Sequence, residues 1–396
     1  MRKFPFIQSA FVIFATILLA ACGKTSSETG GAAEGADDSS SFVVAIAAPL
    51  TGESSEFGAQ LRMGAELFQE QLNAAGGIDG RKLELQFGDD AGKAEQAQTV
   101  ATNIASNDEV MAVLGHYNSS CSLAGKGLYT DAGLVMFSPA STNVEVTKNS
   151  DFVYRNIFTD DFQGISLANY VAKVLELKNV AILFDNDDYG SGLKESFKGE
   201  AQKLGLNVVN ELAFTRDAPD FRSQLTTIQG NQTPPDVILI AGLYTQGANI
   251  ARQARDLGLT AQIIGGDGLF SEKYISLAGA AAEGTFISCP FLVELGGEKA
   301  SSFVDAFKSK YNREPDAWAA LSYDAIAILC EGMKKNGISR EAVQEYLKTV
   351  NSPETAFSGV VGDTYFDAEG DCRRPVQMAQ VKDGKYVPAE KQLTAE

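Results

Sequence analysis

The chain has 396 residues, enough for two or three ordinary domains, and 44% of them are hydrophobic, so each domain could bury a core. Asp and Glu total 51 against 33 Lys and Arg, a formal net charge of −18, which argues against nucleic acid as the main partner because a phosphate backbone calls for a basic face. The single histidine, His116, excludes a metal site built from several histidines.

The first residues have the features of a bacterial targeting segment. A pair of basic residues precedes an apolar stretch, 11–19, that is too short for a comfortable membrane span. Positions 19–23 read Leu-Ala-Ala-Cys-Gly, which resembles the bacterial lipobox, whose cysteine is lipidated and becomes the first residue. We therefore expect a lipoprotein signal peptide at 1–21 and a lipid anchor on Cys22. An ordinary secretory peptide with an incidental cysteine is the alternative.

A polar segment follows the proposed anchor. Residues 22–41 are rich in Gly, Ser, Ala, Asp and Glu and contain no aromatic residue, so they cannot bury enough apolar surface to order themselves. We predict a flexible tether there and a fold that begins near Phe42.

The remaining cysteines leave their redox state open. Cys121, Cys289, Cys330 and Cys372 could form disulfides outside the cytoplasm, with three possible pairings, or could stay as buried thiols. No C-x-x-C spacing occurs, so we expect no zinc or redox site.

The body of the chain alternates apolar runs with segments of helical periodicity. In chain order, the patterns predict a strand at 42–48, a helix through 61–72, a strand at 83–87, a helix at 97–104, a strand at 110–114, a helix at 122–132, a strand at 134–137, a helix at 163–176, a strand at 180–184, a helix at 191–204, a strand at 208–213, a helix at 221–228, a strand at 237–241, a helix at 246–257, a strand at 263–264 and helices at 303–311, 318–333 and 339–349. Two such runs, divided after Asp160, imply two doubly wound α/β domains with parallel sheets.

Polar residues cluster just after the predicted strands, where ligands bind in open α/β sheets. In the first domain, 115–120 and 138–143 offer hydroxyls, backbone N–H groups and a helix N-terminus, which suit a carboxylate. In the second domain, 185–190, 242–245 and 265–268 offer acids and aromatic rings, which suit a cation with an apolar body. Together these segments predict a zwitterion held across a cleft.

An ordered series of motifs runs from about Phe42 to Val387. After the lipobox come Ala48-Pro49-Leu50-Thr51-Gly52, Ala74-Ala75-Gly76-Gly77-Ile78-Asp79-Gly80, Gly88-Asp89-Asp90, Gly115-His116 with Ser119, and Ser138-Pro139-Ala140-Ser141-Thr142-Asn143. The series resembles the branched-chain amino-acid-binding proteins of ABC importers. The resemblance implies the type I periplasmic-binding-protein fold, in which two doubly wound parallel-sheet lobes are joined by three crossing segments and close on the ligand.

The resemblance also implies where the lobes divide. The crossing segments would fall near Thr159, Phe291 and Arg374. Lobe 1 would comprise 42–159 with 292–373, and lobe 2 would comprise 160–291 with 374–396.

Site residues follow from the same resemblance. Ser119 would offer its hydroxyl to the ligand carboxylate, Ala140 and Thr142 would offer backbone and hydroxyl groups to the carboxylate and ammonium, and Asp267 would pair with the ammonium. The remaining candidates line or close the cleft: Asp160, Tyr189, Phe57, Trp318, Ser141 and Tyr244.

Plainer interpretations stay open for several of these residues. Asp267 could cap a turn, Ser119 could be only a helix N-cap, and Trp318 begins an apolar helix, which favours a core position. His116 is expected to be a structural residue whose ring is hydrogen-bonded.

Two departures from the family pattern concern specificity. The aromatic residue expected after the strand at 237–241 aligns with Leu243, and Tyr244 stands one place later. The early disulfide of some members is missing, because Gly92 and Asn118 occupy the cysteine positions.

Enzyme motifs are missing from the sequence. There is no P-loop, no complete G-x-G-x-x-G and no G-x-S-x-G, and the acidic run 185–188 lacks EF-hand spacing, so we interpret that run as a solvated loop. We predict no enzymatic activity, no cofactor and no metal.

The function predicted from the sequence is that of an extracytoplasmic, lipid-anchored solute-binding protein of an ABC importer that binds a small amino acid of branched-chain type. The partners would be permease subunits and, through Cys22, a membrane. An amide, urea-like or aromatic acid ligand on the same fold, or a role as a ligand sensor, is the alternative.

Overall fold

The computed structural model describes residues 41–393. Its strands are β1 (Ser41–Ala48), β2 (Lys82–Asp89), β3 (Val110–Gly115), β4 (Val135–Ser138), β5 (Val153–Arg155), β6 (Asn179–Asp185), β7 (Asn207–Phe214), β8 (Val237–Ala241), β9 (Gln262–Gly265), β10 (Phe286–Cys289), β11 (Phe357–Gly359), β12 (Gly362–Thr364), β13 (Gln377–Lys382) and β14 (Lys385–Pro388). Its helices are α1 (Ser55–Ala74), α2 (Ala94–Ala105), α3 (Ser119–Asp131), α4 (Asp160–Asn169), α5 (Asp188–Lys203), α6 (Arg222–Gln229), α7 (Tyr244–Asp256), α8 (Glu272–Ala278), α9 (Glu298–Tyr311), α10 (Ala317–Asn336) and α11 (Arg340–Thr349).

Five parallel strands form the first sheet, in the order β2-β1-β3-β4-β5. Successive residues of β1 point to opposite faces: Val44 and Ile46 enter one apolar cluster, and Ala45 and Ala47 enter another. Because both faces are buried, the strand is apolar from Phe42 to Ala48, as parallel strands covered by helices are. The doubly wound α/β arrangement predicted for this half is confirmed.

The second sheet has seven strands, in the order β14-β13-β10-β9-β8-β6-β7. Strands β6 to β10 are parallel, but β13 runs antiparallel to both β10 and β14. The parallel sheet predicted for this half is therefore confirmed for β6 to β10, and it is extended by an antiparallel edge formed by β13 and β14. Asp383 and Gly384 both have positive φ angles and join β13 to β14 as a two-residue hairpin, which requires antiparallel strands.

Several elements differ from the sequence prediction for local reasons. The helix predicted at 163–176 ends at Asn169 and continues as a π-helical turn over Tyr170–Val174. Helix α5 begins before the predicted 191, because the Asp187 side chain accepts a hydrogen bond from the backbone N–H of Gly190 at 2.8 Å and so caps it earlier. Strands of three or four residues, such as β5 and β10, are too short to show an alternating pattern.

Two lobes are built around the two sheets. The first lobe comprises the five-stranded sheet with α1 to α3 and α9 to α11, and the second lobe comprises the seven-stranded sheet with α4 to α8. The chain passes between the lobes after β5, after β10 and before β13.

All four cysteines of residues 41–393 are buried free thiols: Cys121, Cys289, Cys330 and Cys372. None of the helices in that range has the length and apolar character needed to cross a bilayer. The predicted signal peptide, Cys22 and nearly all of the tether lie outside the described residues.

Candidate functional site

A small cavity of about 10 Å³ lies between the two lobes. Its walls are residues that follow the carboxyl ends of strands in both sheets, as expected for a ligand site in an open α/β fold. The first lobe contributes Tyr117, Asn118, Ser119 and Ala140, and the second lobe contributes Tyr189, Leu243, Asp267 and Gly268. A larger cleft of about 380 Å³ lies against the end of α11, but we assign the site to the smaller cavity because buried polar groups converge there.

Asp267 is the acid of this cavity. It stands directly after β9 and its connecting glycine, in a short 3-10 turn, and is only 2% exposed. Its Oδ1 accepts hydrogen bonds of 2.7 Å from Gln163 Nε2 and from the Tyr189 hydroxyl. Burial raises the pKa of Asp267 to about 6, although both hydrogen bonds oppose that rise by favouring the carboxylate.

Tyr189 connects this acid to the neighbouring turn. Its hydroxyl donates to Asp267 and accepts a hydrogen bond of 3.1 Å from the backbone N–H of Gly268. Burial and the adjacent Asp267 charge raise the pKa of Tyr189 well above its usual range, so the phenol stays neutral and orients the carboxylate.

Asp160 lies at the start of α4, 1% exposed, on the segment that enters the second lobe. Its backbone N–H donates to the Thr142 carbonyl oxygen at 2.7 Å. Both carboxyl oxygens of Asp160 and the Thr142 hydroxyl are buried without a hydrogen-bond partner. Burial, and secondarily the charge of Asp267, raise the pKa of Asp160 well above its usual range. Asp160 and Thr142 are not part of the cavity wall, but their unpaired groups lie close to Asp267, where a ligand that enters between the lobes could satisfy them.

The first lobe presents a helix N-terminus to the cavity. Ser119 is the first residue of α3, and its Oγ accepts a 3.3 Å hydrogen bond from the backbone N–H of Asn143. The N-cap position belongs to Asn118, whose side chain makes no capping hydrogen bond, so the interpretation of Ser119 as the N-cap is wrong. The backbone N–H groups at the start of α3 carry a partial positive charge, which favours an anion at this side of the cavity.

Ala140 and Ser141 lie on the turn after β4, but only Ala140 lines the cavity. The Ser141 Oγ lies 2.7 Å from Ser122 Oγ and donates to the backbone carbonyl oxygens of His116 and Tyr117. These hydrogen bonds hold the turn in place and engage the Ser141 hydroxyl with protein groups, away from the cavity.

An aromatic cluster stands behind the cavity. Tyr117 lines the cavity and stacks on Phe57 with ring centroids 4.4 Å apart, and Trp318 meets both rings edge-on. Phe57 and Trp318 are fully buried and do not reach the cavity wall. The Trp318 Nε1 donates a 3.0 Å hydrogen bond to the carbonyl oxygen of Phe270. Tyr244 completes the cluster from the second lobe, edge-on to Phe57 at 4.8 Å.

Polar contacts join the lobes at the rim. The Tyr244 hydroxyl donates to the Glu53 carbonyl oxygen at 2.6 Å, and Arg216 Nη1 donates to the Gly92 carbonyl oxygen at 3.0 Å. On another side of the cavity, Asn143 Nδ2 donates to the carbonyl oxygen of Asp188 at 2.6 Å. The lobes are therefore in direct contact around the cavity.

The acidic run 185–188 was interpreted from the sequence as a solvated loop, and the structure differs from that interpretation. Asp185 is buried and its Oδ2 lies 3.1 Å from Arg216 Nε, and Asp187 pairs with the same guanidinium. The interpretation of this run as a solvated loop is wrong for the buried Asp185 and the half-buried Asp187, because both pair with Arg216, whereas Asn186 and Asp188 are exposed. Within residues 41–393 no group of three metal-ligating side chains occurs.

His116 is a buried structural residue, as expected. Its Nδ1 lies 2.6 Å from Asp90 Oδ2 and its Nε2 lies 3.1 Å from the Tyr129 hydroxyl, so both ring nitrogens have partners.

Sequence reasoning missed five residues at or beside the cavity: Tyr117, Asn118, Leu243, Gly268 and Gln163. The first four lie inside the strand-end segments that the sequence identified. The sequence therefore predicted where these residues lie in the fold, but not that their side chains face the cavity. Gln163 lies one helical turn after Asp160, and no sequence signal aims its amide at Asp267.

Comparison with known proteins gives a consistent result. Residues 41–385 match the family described as periplasmic binding protein. An amino acid binding protein of Pseudomonas aeruginosa is 32% identical over 338 residues, which cover 84% of this chain and 87% of the relative.

Two solved structures are similar throughout. The leucine-binding protein LivK of Thermotoga maritima is 31% identical with a TM-score of 0.83, covering 88% of this chain and 97% of that one. The branched-chain amino acid substrate-binding protein LivJ of Streptococcus pneumoniae, in complex with isoleucine, is 30% identical with a TM-score of 0.82, covering 89% and 98%. The chain belongs to the periplasmic binding protein family and has its type I fold.

Proposed function

We propose that this protein binds a small apolar amino acid of branched-chain type, as its zwitterion, between the two lobes and delivers it to an ABC importer. The observation that carries the proposal is the pairing of opposite electrostatic ends across one cavity. Asp267 lies on the second lobe and the N-terminus of α3, with Ser119, lies on the first. The similar proteins support it, since one is named for leucine and another contains isoleucine.

The ammonium end of the ligand would pair with Asp267. A buried carboxylate without a counter-charge is costly, and Gln163 and Tyr189 occupy only Oδ1, so an ammonium can supply the missing charge. The carboxylate end would take the Ser119 hydroxyl, the α3 backbone N–H groups and the polar groups of Ala140 and Thr142.

The side chain would face the apolar part of the wall, formed by Tyr117, Leu243 and Ala140. Leu243 replaces the aromatic residue expected there, so this wall is aliphatic on one side. With a volume of about 10 Å³, the cavity would have to widen by separation of the lobes to admit this side chain. Phe57, Trp318 and Tyr244 would act behind this wall, by holding Tyr117 in place.

Binding would be coupled to closure of the two lobes. The crossings near Thr159, Phe291 and Arg374 would act as hinges, and the rim contacts would form only when the lobes approach. A ligand that contacts both lobes then stabilises the closed state by its differential affinity. No bond in the ligand would be made or broken, so we propose no enzymatic activity.

Calorimetry against a ligand panel tests the proposal. Leucine, isoleucine, valine, alanine and threonine are titrated beside leucinamide, urea and benzoate. We expect heat with one or more of the free amino acids. Heat only with the amide, urea or the aromatic acid would contradict an amino acid ligand and would favour that other ligand class on the same fold. Equal affinity for leucine and leucinamide would contradict a carboxylate subsite.

The lipid anchor on Cys22 is a separate part of the proposal, supported by the lipobox sequence at 19–23. We propose that it holds the lobes at the outer face of a membrane, within reach of permease subunits. Cys22→Ser should move the protein from the membrane fraction to the soluble fraction and abolish incorporation of labelled fatty acid. Unchanged fractionation and labelling would contradict the anchor alone.

A further inference from the structure

Asp160 is a buried acid that has no hydrogen-bond donor. It is fixed in position by its backbone bond to Thr142 and by close packing against α5, where a Cβ on Gly192 would stand 2.7 Å from its Oδ2. Both of its carboxyl oxygens are nevertheless unpartnered. The Thr142 hydroxyl is near enough to favour the carboxylate form of Asp160 and so to lower its pKa, but the two side chains do not reach hydrogen-bond geometry.

The basic side chain that most affects Asp160 within residues 41–393 is already paired with another acid. Arg155, from β5, lowers the pKa of Asp160, but its Nε lies 2.7 Å from Asp371 Oδ1. The other nearby charges are acids: Asp267 after β9 and Asp187 at the start of α5.

The remaining groups of that guanidinium are also occupied. Arg155 Nη1 donates to the Ser141 carbonyl oxygen at 2.8 Å, and its Nη2 donates to Thr147 Oγ1 at 2.9 Å. The facing titratable group from α5, the Tyr189 hydroxyl, already donates to Asp267.

Two buried carboxyls that share one site do not both ionise readily, and the one with hydrogen-bond donors keeps the negative charge. Asp267 has two side-chain donors, and Asp160 has none. Burial and the Asp267 charge raise the pKa of Asp160 well above its usual range, in agreement with this asymmetry.

We infer that Asp160 is a neutral carboxylic acid at neutral pH and that it donates its hydrogen to the carboxylate of the bound ligand. The ionised Asp267 would then pair with the ligand ammonium. The protonated Asp160 would donate a hydrogen bond to the ligand carboxylate, beside Ser119 and Thr142. The identity of the acceptor rests on the proposed function, whereas the protonation of Asp160 does not.

Infrared spectroscopy of the ligand-free protein tests the protonation directly. The full protein is labelled with ¹³C-aspartate, and spectra at pH 7 are compared for the wild type, Asp160→Asn and Asp161→Asn. Asp161 is the matched control because it is the next residue of the same helix turn and is exposed. Asp316, whose pKa is about 8, should also give the carbonyl band of a protonated acid at pH 7. We expect a second component of that band, which is lost in Asp160→Asn and kept in Asp161→Asn. Identical spectra for wild type and Asp160→Asn would overturn the inference.

Calorimetry with the amino acid that binds the wild type best tests the donor role. Asp160→Asn keeps a donor and removes the ability to ionise, so its affinity should stay within about threefold of the wild type. Asp160→Ala should weaken binding by about 10- to 100-fold, the range for a lost hydrogen bond to a charged group. If Asp160→Asn loses as much affinity as Asp267→Asn, Asp160 is an ionised partner of the ammonium and the inference is wrong.

The proposed function and the inference about Asp160 can be tested separately. If the wild type binds no amino acid, the proposed function fails, while the infrared comparison still decides the protonation of Asp160. If the wild type binds and Asp160→Asn leaves the infrared spectrum unchanged, only this inference fails. Circular dichroism of each variant confirms that a change in affinity does not come from unfolding.

Discussion

The hydroxyl of Tyr244, on the second lobe, donates a 2.6 Å hydrogen bond to the backbone carbonyl oxygen of Glu53, on the first lobe. The ring of Tyr244 packs against Phe57 and does not reach the cavity wall. This hydroxyl therefore contributes to contact between the lobes and not to contact with a ligand.

Tyr244→Phe should weaken binding of every ligand by the same factor. The loss of one neutral hydrogen bond costs about 0.5–1.5 kcal/mol, or roughly 2- to 10-fold in affinity, and it applies to closure whatever ligand is bound. Calorimetry over the ligand panel measures the factor. A change in the order of preference among ligands would show instead that the hydroxyl contacts the ligand.

The single tryptophan should report lobe closure. Trp318 lies in the first lobe and donates to the Phe270 carbonyl oxygen at 3.0 Å in the second, and its ring contacts Tyr117 of the cavity wall. Separation of the lobes would break that bond and admit water to the indole. Ligand addition should therefore give a saturable blue shift of the emission, measured by fluorescence titration. Binding detected by calorimetry with no change in emission would contradict this.

Asp267→Asn should abolish most of the affinity without disturbing the fold. The amide oxygen can still accept from Gln163 and Tyr189, so the change removes only the charge that faces the ligand ammonium. Loss of one partner of a buried ion pair costs about 3–5 kcal/mol, which exceeds a hundredfold in affinity. Asp161→Asn is the control, and full binding by Asp267→Asn would remove Asp267 from the site.

Ligand affinity should fall in acid. The pKa of Asp267 is about 6 in the ligand-free protein, and only its carboxylate can pair with an ammonium. Affinity should therefore be constant above pH 7 and should fall below pH 6, by about tenfold between pH 8 and pH 5. Calorimetry across that range, with circular dichroism to check folding at each pH, measures the profile. Equal affinity at pH 5 and pH 8 would contradict it.

Asp316→Asn should stabilise the protein in mild alkali. Asp316 caps α10 by accepting from the backbone N–H groups of Trp318 and Ala319, and an asparagine oxygen can do the same. Burial raises the pKa of Asp316 to about 8, above its unfolded value near 3.8, so the folded state binds the extra proton. The stability that comes from protonation of Asp316 in the folded state is present in full below pH 4, and it is lost as the pH rises towards 8.

The wild type should therefore lose stability between pH 5 and pH 8 more steeply than Asp316→Asn does. At pH 8 we expect the variant to be more stable by on the order of 2 kcal/mol, measured as the free energy of unfolding in urea. Parallel stability curves for the two proteins would show that Asp316 does not titrate over this interval.

Much of the fold was predictable because its signals are local. Strand β8 runs over the predicted residues 237–241, since a fully buried parallel strand is apolar throughout. The hairpin of β13 and β14 was missed even though Asp383-Gly384 is a strong turn signal, because the flanking strands are short.

The sequence predicted which segments form the candidate site, but not which of their side chains face the cavity. The strand-end rule located the segments that hold Ser119, Tyr189 and Asp267. Whether a side chain faces the cavity depends on packing between elements far apart in sequence, as for Gln163, which lies 104 positions before its partner Asp267. The same dependence explains why Ser141, although next to Ala140, turns to Ser122.

The four unpaired thiols have a practical consequence for work on this molecule. Since Cys121, Cys289, Cys330 and Cys372 are buried and unlinked, maturation of residues 41–393 requires no oxidative cross-linking step, and reducing agents leave the covalent structure unchanged. A cysteine introduced on the surface of each lobe would react ahead of the sheltered native ones. Dyes could then be attached at chosen positions to follow the approach of the two halves in single molecules.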